Sequence, residues 1–229
     1  NPGPDVASTE FDLVIIGGGA GGLVVAAGGA SLGAKVALVE AHKMGGDCLN
    51  YGCVPSKALI KSAKLAHQMQ HAERYGLHST QDNQDSGHSL FSFKKVMQRI
   101  HEVIAAIEPH DSVERYTGLG VEVLQGYAKI TNPWTVEIAL NGGGKQVLTT
   151  RSIVIAAGAR PFVPPLPGLE DVGYVTSDTL WGLTELPRRL LVLGGGPIGC
   201  ELAQSFARLG SEVTQVEMAP RLMLREDEE

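Results

Sequence analysis

The sequence predicts an α/β fold in which parallel strands alternate with helices. A strand, a glycine-rich turn, a helix and a second strand follow one another near the amino terminus, and the same order returns after residue 188. Between these two units the hydrophobic pattern alternates residue by residue, which predicts an antiparallel β-meander added to the first, parallel sheet. With 43% hydrophobic residues and 29 glycines in 229 residues, the composition also suits an ordered α/β protein.

The first unit occupies residues 11–40. It consists of a buried strand at 11–16, a glycine turn at 17–22, a helix to about residue 32 and a second strand at 35–40. Gly28 and Gly29 lie inside this helix, where each costs about 1 kcal/mol relative to alanine. Close packing against a strand or a cofactor would explain both glycines.

The middle of the chain contains two predicted helices and the meander. The helices cover residues 56–75 and 93–116, and Pro109 is expected to break or kink the second one. The polar stretch 78–89 is predicted to be a mobile loop. Strands are predicted at 121–125, 135–140 and 146–157, with residues 141–144 as the hairpin turn.

The second unit repeats the first. A strand is predicted at 190–193, a glycine turn at 194–199, a helix at 200–209 and a strand at 212–217. The proline-rich stretch 160–168 has the composition of a connection between domains. We therefore predict a flexible leader at 1–10, a first domain at 11–160, a connection at 161–187 and the start of a second, longer domain at 188–229.

Both glycine turns have the spacing of a dinucleotide-binding motif. The glycines allow a tight turn and let the backbone approach a pyrophosphate held at the helix amino terminus. An acid, Glu40 or Glu217, follows the first glycine of each turn by 23 residues and can accept hydrogen bonds from ribose hydroxyls. Each unit is therefore predicted to be Rossmann-like, the alternative being that both acids are solvated strand ends. The motif glycines are Gly17, Gly19 and Gly22 in the first turn and Gly194, Gly196 and Gly199 in the second.

The second acid also predicts the choice of nucleotide. A carboxylate at the ribose would repel the additional 2′-phosphate of NADP(H). Glu217 therefore favours NAD(H) over NADP(H) at the second site.

Two cysteines lie between the first glycine turn and the helix that follows. In a regular helix, Cα atoms five residues apart are separated by about 8.6 Å, whereas a disulfide requires roughly 4.4–6.8 Å. A bond between Cys48 and Cys53 therefore requires a distorted segment, which Gly52 permits, while Pro55 suits the first turn of the next helix. Cys53 then lies at a helix amino terminus, where backbone N–H groups, the helix dipole and Lys57 stabilise a thiolate.

This pair predicts a redox-active dithiol beside a bound dinucleotide. The alternative is that Cys48 and Cys53 are small buried hydrophobic residues, because free cysteine is often buried. The chain has only three cysteines, and the third, Cys200, is expected to pack as a small residue of the second unit's helix.

Composition excludes several classes of function. The net charge of −6 and the lack of a basic stripe argue against nucleic-acid binding. Apolar runs such as 13–16 and 153–157 are too short for a membrane helix. The amino terminus lacks the basic start and apolar centre of a signal peptide, and few cysteines favour a cytoplasmic location. No metal site is expected.

The two glycine turns, together with the motif GGDCLNYGCVPSK at 45–57, resemble the class I FAD-dependent pyridine nucleotide-disulfide oxidoreductases. The resemblance extends over nearly the whole chain from Phe11 onward. It implies FAD at the first glycine turn, the nicotinamide cofactor at the second, and a homodimer. The family's carboxyl-terminal interface domain, which supplies a catalytic histidine, has no counterpart in these 229 residues, so activity is expected of the full-length protein.

The resemblance also assigns roles to residues. Cys48 matches the cysteine that exchanges with the substrate, and Cys53 the one that contacts the flavin; Lys57 matches a lysine paired near the flavin with a glutamate matching Glu201. Asp47 and Ala157 stand where many members have threonine. The implied FAD-binding residues are Gly17, Gly19, Ala20, Gly21, Gly22, Glu40, Gly46, Asp47, Lys57, Gly126, Tyr127, Ala128, Ala157 and Gly158.

The implied activity is an electron transfer between nicotinamide and a disulfide. Hydride passes from NADH to FAD, and the electrons then reduce the Cys48–Cys53 disulfide, whose thiols exchange with a small-molecule or protein-bound disulfide substrate. Because Glu217 favours NAD(H), a dihydrolipoamide dehydrogenase-like enzyme is preferred. The alternatives are a mercuric reductase-like enzyme and a non-catalytic FAD-binding module.

Overall fold

The computed structural model describes residues 8–77 and 91–227, so the loop predicted at 78–89 and most of the predicted leader lie outside the described residues. The chain divides into two compact units, Asn1–Cys53 with Ile104–Leu169 and Val54–Val103 with Glu170–Glu229. The domain bounds expected from the sequence stay a prediction. The strands are β1 (Phe11–Ile16), β2 (Val36–Glu40), β3 (Glu122–Asn132), β4 (Thr135–Leu140), β5 (Lys145–Ile155), β6 (Arg189–Leu193) and β7 (Glu212–Val216).

The helices agree with the predicted pattern and add detail to it. The helix predicted at 93–116 is interrupted at Pro109, which lies in a 3-10 turn, Glu108–Asp111. A further short 3-10 turn covers Ala72–Tyr75, and another covers Leu180–Gly182. None of the helices in the described residues is long and apolar enough to cross a bilayer. The α-helices are α1 (Ala20–Ser31), α2 (Gly46–Asn50), α3 (Cys53–Gln70), α4 (Phe93–Ile107), α5 (Val113–Gly118), α6 (Leu169–Val172) and α7 (Pro197–Arg208).

The first unit is a parallel sheet joined to an antiparallel meander. β1 lies between β2 and β5, and β2 also pairs with β3, all in parallel. β4 pairs with β3 and β5 in antiparallel orientation, so the five strands close into a ring. The predicted mixed α/β fold with a largely parallel sheet is confirmed.

Strands β3 and β5 each serve both parts of this ring. Residues 122–125 of β3 pair with β2, whereas residues from Gly126 onward pair with β4. The prediction that the strand ends at Gln125 is therefore wrong. A Cβ built on Gly126 would lie 2.4 Å from the carbonyl oxygen of Ala139, so glycine permits a close crossing at the point where the strand changes partner.

Two hydrophobic cores lie on opposite faces of the parallel sheet. One lies between this sheet and the meander; it contains Phe11, Val14, Ala37, Val39, Val136, Ile138 and Leu148. The other lies under helices α1 and α5; it contains Ile15, Leu23, Ala26, Val36, Leu38, Tyr116 and Val121. Together they hold the carboxyl ends of the parallel strands at one rigid edge.

The two glycines inside α1 differ in their surroundings. A Cβ built on Gly29 would lie 3.1 Å from Cγ2 of Val36, so close packing on β2 explains this glycine. Gly28 is exposed, and no described atom outside its own helix lies within 4 Å of its Cβ position. The expected explanation by packing thus applies to one glycine of the two.

The second unit combines helices α3 and α4 with a βαβ unit. β6 and β7 pair in parallel, as the repeated sequence pattern predicts, and α7 connects them. The ring of Phe93 packs on that of Phe206 with centroids 6.0 Å apart, which joins α4 to α7. Arg99 Nη1 donates to the carbonyl oxygen of Ala58 at 3.1 Å, which joins α4 to α3.

Candidate functional site

Four parallel strands of the first unit end at the same edge of the sheet. β1 ends at Ile16, β2 at Glu40, the parallel part of β3 at Gln125 and β5 at Ile155. The carboxyl edge of a parallel α/β sheet is where such folds bind ligands. The first glycine turn and most of the residues predicted to bind FAD lie at this edge.

The first glycine turn cannot accept larger side chains at its ends. Gly17 has a φ of +112°, and a Cβ there would lie 2.1 Å from the carbonyl oxygen of Ala156. A Cβ on Gly22 would lie 1.8 Å from the carbonyl oxygen of Gly17. Gly19 is the N-cap of α1, and no described side chain caps this helix, whose first turn contains Ala20 and Gly21. The backbone N–H groups of that turn suit a pyrophosphate.

The Glu40 carboxylate is fixed by two backbone donors. Its Oε2 accepts from Gly18 N–H at 2.7 Å, and its Oε1 accepts from His42 N–H at 2.7 Å. Each carboxylate oxygen can accept more than one hydrogen bond, so ribose hydroxyls can still bind. Glu40 thus holds the glycine turn, and its role as a ribose acceptor stays a prediction.

A loop after β2 completes the first turn. Gly45 N–H donates to the carbonyl oxygen of Gly18 at 2.8 Å, and Sδ of Met44 lies 3.0 Å from the position of a Cβ on Gly18. Gly46 has a φ of +54°, and a Cβ there would lie 2.6 Å from Cα of Gly19. Helix α2, which begins at Gly46 and contains Cys48, is therefore packed directly on the glycine turn.

The remaining predicted FAD residues lie on the strands that flank this turn. Gly158 follows β5 with a φ of +71°, and its Cβ position is 3.3 Å from Oδ2 of Asp47. Ala157 is exposed next to it. Gly126 begins the part of β3 that pairs with β4, directly after the residue that pairs with Glu40. Tyr127 is 69% exposed at this edge, and Ala128 packs on the core between sheet and meander.

The chain between the two cysteines is not a continuous helix. Helix α2 ends at Asn50 and α3 begins at Cys53, and Tyr51 has φ −136° and ψ −15°. The predicted distortion is confirmed. Gly52 does not have a positive φ; its N–H donates to the carbonyl oxygen of Asp47 at 2.6 Å, and a Cβ would lie 3.0 Å from that oxygen. Close approach, not an unusual dihedral, therefore favours glycine here.

The two cysteine side chains interact directly. Both are thiols in this structure, Cys48 half-buried and Cys53 exposed. Burial, a hydrogen bond between the two side chains and the negative charges of Cys53 and Asp111 raise the pKa of Cys48, while a hydrogen bond from the Cys53 backbone N–H opposes this shift. The two side chains are therefore adjacent, and the disulfide between them stays a prediction.

Lys57 and Glu201, which lie 144 residues apart, form an ion pair in the second unit. Lys57 Nζ lies 2.9 Å from Oε2 and 3.0 Å from Oε1 of Glu201, so α3 and α7 are joined here. Their side chains are 61% and 40% exposed, so solvent screening limits the stabilisation to less than about 1 kcal/mol. Their predicted role beside a flavin stays a prediction.

The second glycine turn repeats the geometry of the first. Gly194 has a φ of +118°, and a Cβ on Gly199 would lie 2.4 Å from the carbonyl oxygen of Gly194. Gly196 is the N-cap of α7. Glu217 Oε2 accepts from Gly195 N–H at 2.5 Å, and its Oε1 accepts from the N–H of Ala219 at 2.8 Å.

These backbone donors stabilise the ionised carboxylate. The hydrogen bonds from Ala219 and then Gly195 lower the pKa of Glu217, against a smaller opposing effect of desolvation. Cys200, in α7, is half-buried with Sγ 3.5 Å from the carbonyl oxygen of Gly195. It contacts the turn as a small helix residue.

The sequence predicts the two carboxylates that bind the middle glycines, Glu40 and Glu217, but not the other residues of these contacts. Gly18 and Gly195 were not among the predicted site residues, nor were Met44 and Gly45. The glycine pair at 45–46 was the available signal, because two adjacent glycines indicate left-handed backbone or close approach. The effect of Asp111 on Cys48 had no signal in the sequence.

Comparisons with known proteins give a consistent result. Residues 11–229 match the pyridine nucleotide-disulphide oxidoreductase family. Over 228 residues the chain is 38% identical to a mercuric reductase of Streptomyces lividans, covering 97% of this chain and 46% of that protein. Over 231 residues it is 38% identical to a dihydrolipoyl dehydrogenase of Bacillus subtilis (strain 168), covering 96% of this chain and 46% of the relative.

The fold is similar to that of a solved flavoprotein disulfide reductase. A Cu(II) complex of a cysteine-to-serine mutant of the HOCl-induced flavoprotein disulfide reductase RclA from Escherichia coli superposes with a TM-score of 0.79 at 30% identity, covering 96% of this chain and 45% of the other. The chain thus spans about half the length of the relatives it matches.

Proposed function

The chain belongs to the pyridine nucleotide-disulphide oxidoreductase family, and we propose that it carries the FAD site, the redox cysteine pair and part of the nicotinamide site of an NADH-dependent disulfide oxidoreductase. Membership of the family implies FAD and a nicotinamide cofactor. The observation that carries the proposal is the direct contact of the Cys48 and Cys53 side chains, across the break after α2, the helix whose first residue packs on the first glycine turn.

The first site suits FAD in shape and in chemistry. There is no room for a Cβ atom at Gly17 or Gly22. Glycine at these positions allows the tight turn in which the backbone can approach a pyrophosphate. The N–H groups at the start of α1 would hold the phosphates, Glu40 the ribose, and the 126–128 edge the adenine. When bound, FAD would supply the transfer of electrons between a nicotinamide and the cysteine pair.

The chain's own contribution to the reaction is the cysteine pair. Reduction of the Cys48–Cys53 disulfide takes up two electrons and breaks the S–S bond, and two protons give the two thiols. To reduce a substrate disulfide, the Cys48 thiolate attacks one of its sulfurs, which forms a mixed disulfide and expels the other substrate sulfur as a thiolate. The Cys53 thiolate then attacks the Cys48 sulfur, which restores the protein disulfide and expels the second substrate sulfur. The two protons lost by the cysteine thiols balance the two taken up by the substrate thiolates. The raised pKa of Cys48 implies that its proton must leave before the first attack.

Lys57 and Glu201 complete the proposed machinery. We propose that the ammonium of Lys57, held in place by the two oxygens of Glu201, provides positive charge at the flavin. For the second site we propose NAD(H), because the ionised Glu217 carboxylate accepts from ribose hydroxyls and repels a 2′-phosphate. A homodimer is proposed from the family resemblance.

The proposed substrate is a dithiol or disulfide of the lipoamide class, and mercuric ion is the alternative. Equal identity to a dihydrolipoyl dehydrogenase and a mercuric reductase supports both, and Glu217 favours the former. The full-length protein should oxidise dihydrolipoamide with NAD⁺ as acceptor. Faster NADPH oxidation with mercuric ion than with lipoamide would favour the alternative.

Counting thiols tests the cysteine pair. Denatured air-oxidised protein should show one reactive thiol, from Cys200, and reduced protein should show three, the number of cysteines in the chain. Cys200→Ser is the control, because it should lower both counts by one and leave the difference unchanged. Three thiols in the oxidised sample would exclude the disulfide.

A second measurement separates an enzyme from a binding module. Anaerobic NADH added to the full-length protein with FAD bound should bleach the flavin and release two thiols. Flavin binding without thiol release would support a non-catalytic FAD-binding module instead.

A further inference from the structure

The loop that follows β7, residues 217–227, is folded onto the middle glycine of the second turn. Glu217 accepts from the N–H of Gly195, and the N–H of Met223 donates to the carbonyl oxygen of Gly195 at 2.7 Å. A Cβ built on Gly195 would lie 2.7 Å from Cδ2 of Leu222. Both backbone groups of one glycine are therefore bound by this loop, which we call the 217–227 loop.

Arg221 holds this loop closed. Its Nη1 donates to the carbonyl oxygens of Met223 at 3.2 Å and Asp227 at 3.5 Å. Its Nη2 donates to those of Leu224 at 3.1 Å and Glu226 at 2.6 Å. The side chain is half-buried inside its own loop. Met223 has a φ of +54°, a conformation unusual for a residue with a side chain, so local contacts must hold it.

The first turn is fastened in the same way by different residues. Gly18 donates to Glu40 and accepts from Gly45, and Met44 lies against it. There the glycines at 45 and 46 provide the necessary backbone conformation. The 217–227 loop has no glycine, and the hydrogen bonds donated by Arg221 hold its backbone conformation instead.

We propose that Arg221 is a positioning residue for the second nucleotide site. By bonding to four carbonyl oxygens it holds the N–H of Met223 on Gly195 and so keeps the glycine turn in the conformation that receives a pyrophosphate. The inference rests on the proposed binding of NAD(H) at this turn. Because the guanidinium donates into its own loop, it acts on the pyrophosphate site and does not recognise a 2′-phosphate, although it lies only four residues after Glu217.

Steady-state kinetics of the full-length protein test this role. Arg221→Gln should raise the KM for NADH and the KM for NADPH by the same factor, about tenfold, the size expected when one or two backbone hydrogen bonds are lost. The kcat at saturating nucleotide and the FAD content should stay within about twofold of wild type. Arg221→Lys, which keeps the charge but has only three donors on one nitrogen for the four carbonyl oxygens, should be intermediate.

The matched control is Arg225→Gln. Arg225 lies in the same loop, is exposed, and makes no hydrogen bond or ion pair with any other described residue, so its loss should leave both KM values unchanged. A KM for NADH within twofold of wild type in Arg221→Gln would overturn the proposal. So would an increase confined to NADPH, because Arg221 would then contact the 2′-phosphate directly.

Two further outcomes keep the test decisive. If Arg221→Gln does not fold, Arg221→Lys replaces it, and unchanged KM values in that variant overturn the proposal. If wild-type protein binds neither nucleotide, the proposed function fails and this inference with it. A wild type that uses NADH, together with unaffected Arg221 variants, refutes the inference alone.

Discussion

Two alanine substitutions in the first glycine turn should separate nucleotide binding from folding. At Gly22 the added Cβ would lie 1.8 Å from the carbonyl oxygen of Gly17, about 1.5 Å short of ordinary van der Waals contact. Overpacking costs about 1–3 kcal/mol, and a clash with backbone belongs at the upper end. The higher helix propensity of alanine offsets about 1 kcal/mol of this destabilisation. We therefore expect Gly22→Ala to destabilise the first unit by about 2 kcal/mol.

At Gly19 the same substitution should be nearly neutral for folding. Its φ is −86°, which alanine adopts readily, and the nearest atom to the added Cβ is Cα of Gly46 at 3.6 Å. Losing glycine from an N-cap costs about 0.5–1 kcal/mol. Alanine also lowers the conformational entropy of the unfolded chain, which stabilises the folded state by about 0.4–1 kcal/mol. The methyl group nevertheless projects where the backbone should meet a pyrophosphate, so FAD affinity should fall at least tenfold.

The assay combines urea unfolding with FAD titration. Trp134 lies in the first unit and Trp181 in the second, so a Trp181→Phe background makes the fluorescence of Trp134 a reporter for the first unit alone. FAD affinity is measured by calorimetry on flavin-free full-length protein. Equal destabilisation by Gly19→Ala and Gly22→Ala would refute the steric argument, and normal FAD affinity in Gly19→Ala would refute the assignment of the site.

Three further predictions use other features of the structure. Gly28→Ala should stabilise the first unit by about 1 kcal/mol in urea, because its Cβ meets no described atom outside the helix, whereas Gly29→Ala should gain nothing because its Cβ would press on β2. Because the pKa of Glu217 is lowered in the folded state, its stabilising effect is complete above the ordinary glutamate pKa of about 4.3 and is lost as the pH falls below it. Unfolding of the second unit, followed by Trp181, should show this loss in wild type and not in Glu217→Gln. In reduced protein, alkylation of Cys48 should reach half its maximal rate above the ordinary thiol pKa of about 8.5, and Asp111→Asn should move that midpoint down; an unchanged midpoint would contradict the contribution of this charge.

The local elements could be predicted from the sequence because local patterns determine them. Hydrophobic runs and glycine turns predicted β1, α1 and β2 to within a few residues, and the repeat predicted β6, α7 and β7. The extension of β3 through Gly126 could not be predicted in this way. Glycine usually interrupts a strand, and only the position of β4 shows that this glycine permits a close crossing.

The parts of the candidate site that depend on the spacing of residues along the sequence could be predicted. The parts that depend on contacts between distant residues could not. The disulfide distance required a distorted segment between Cys48 and Cys53, and the structure has a helix break there. The pairing of Lys57 with Glu201 came from the family resemblance, since nothing local relates residues 144 apart. Met223 carries no motif, so its bond to Gly195 becomes visible only when the loop is folded.

The pairing of β1 with β5 has a consequence for how the protein is made. Phe11 in β1 pairs with Thr150 in β5, so the first strand of this sheet must wait for the fifth before the ring can close. Each compact unit also consists of two separate stretches of chain, with residues 54–103 of the second unit inserted between the two parts of the first. No single cut or truncation can therefore yield either unit intact. Contacts this distant in sequence predict slow folding, and partly synthesised chains should depend on chaperones until β5 has left the ribosome.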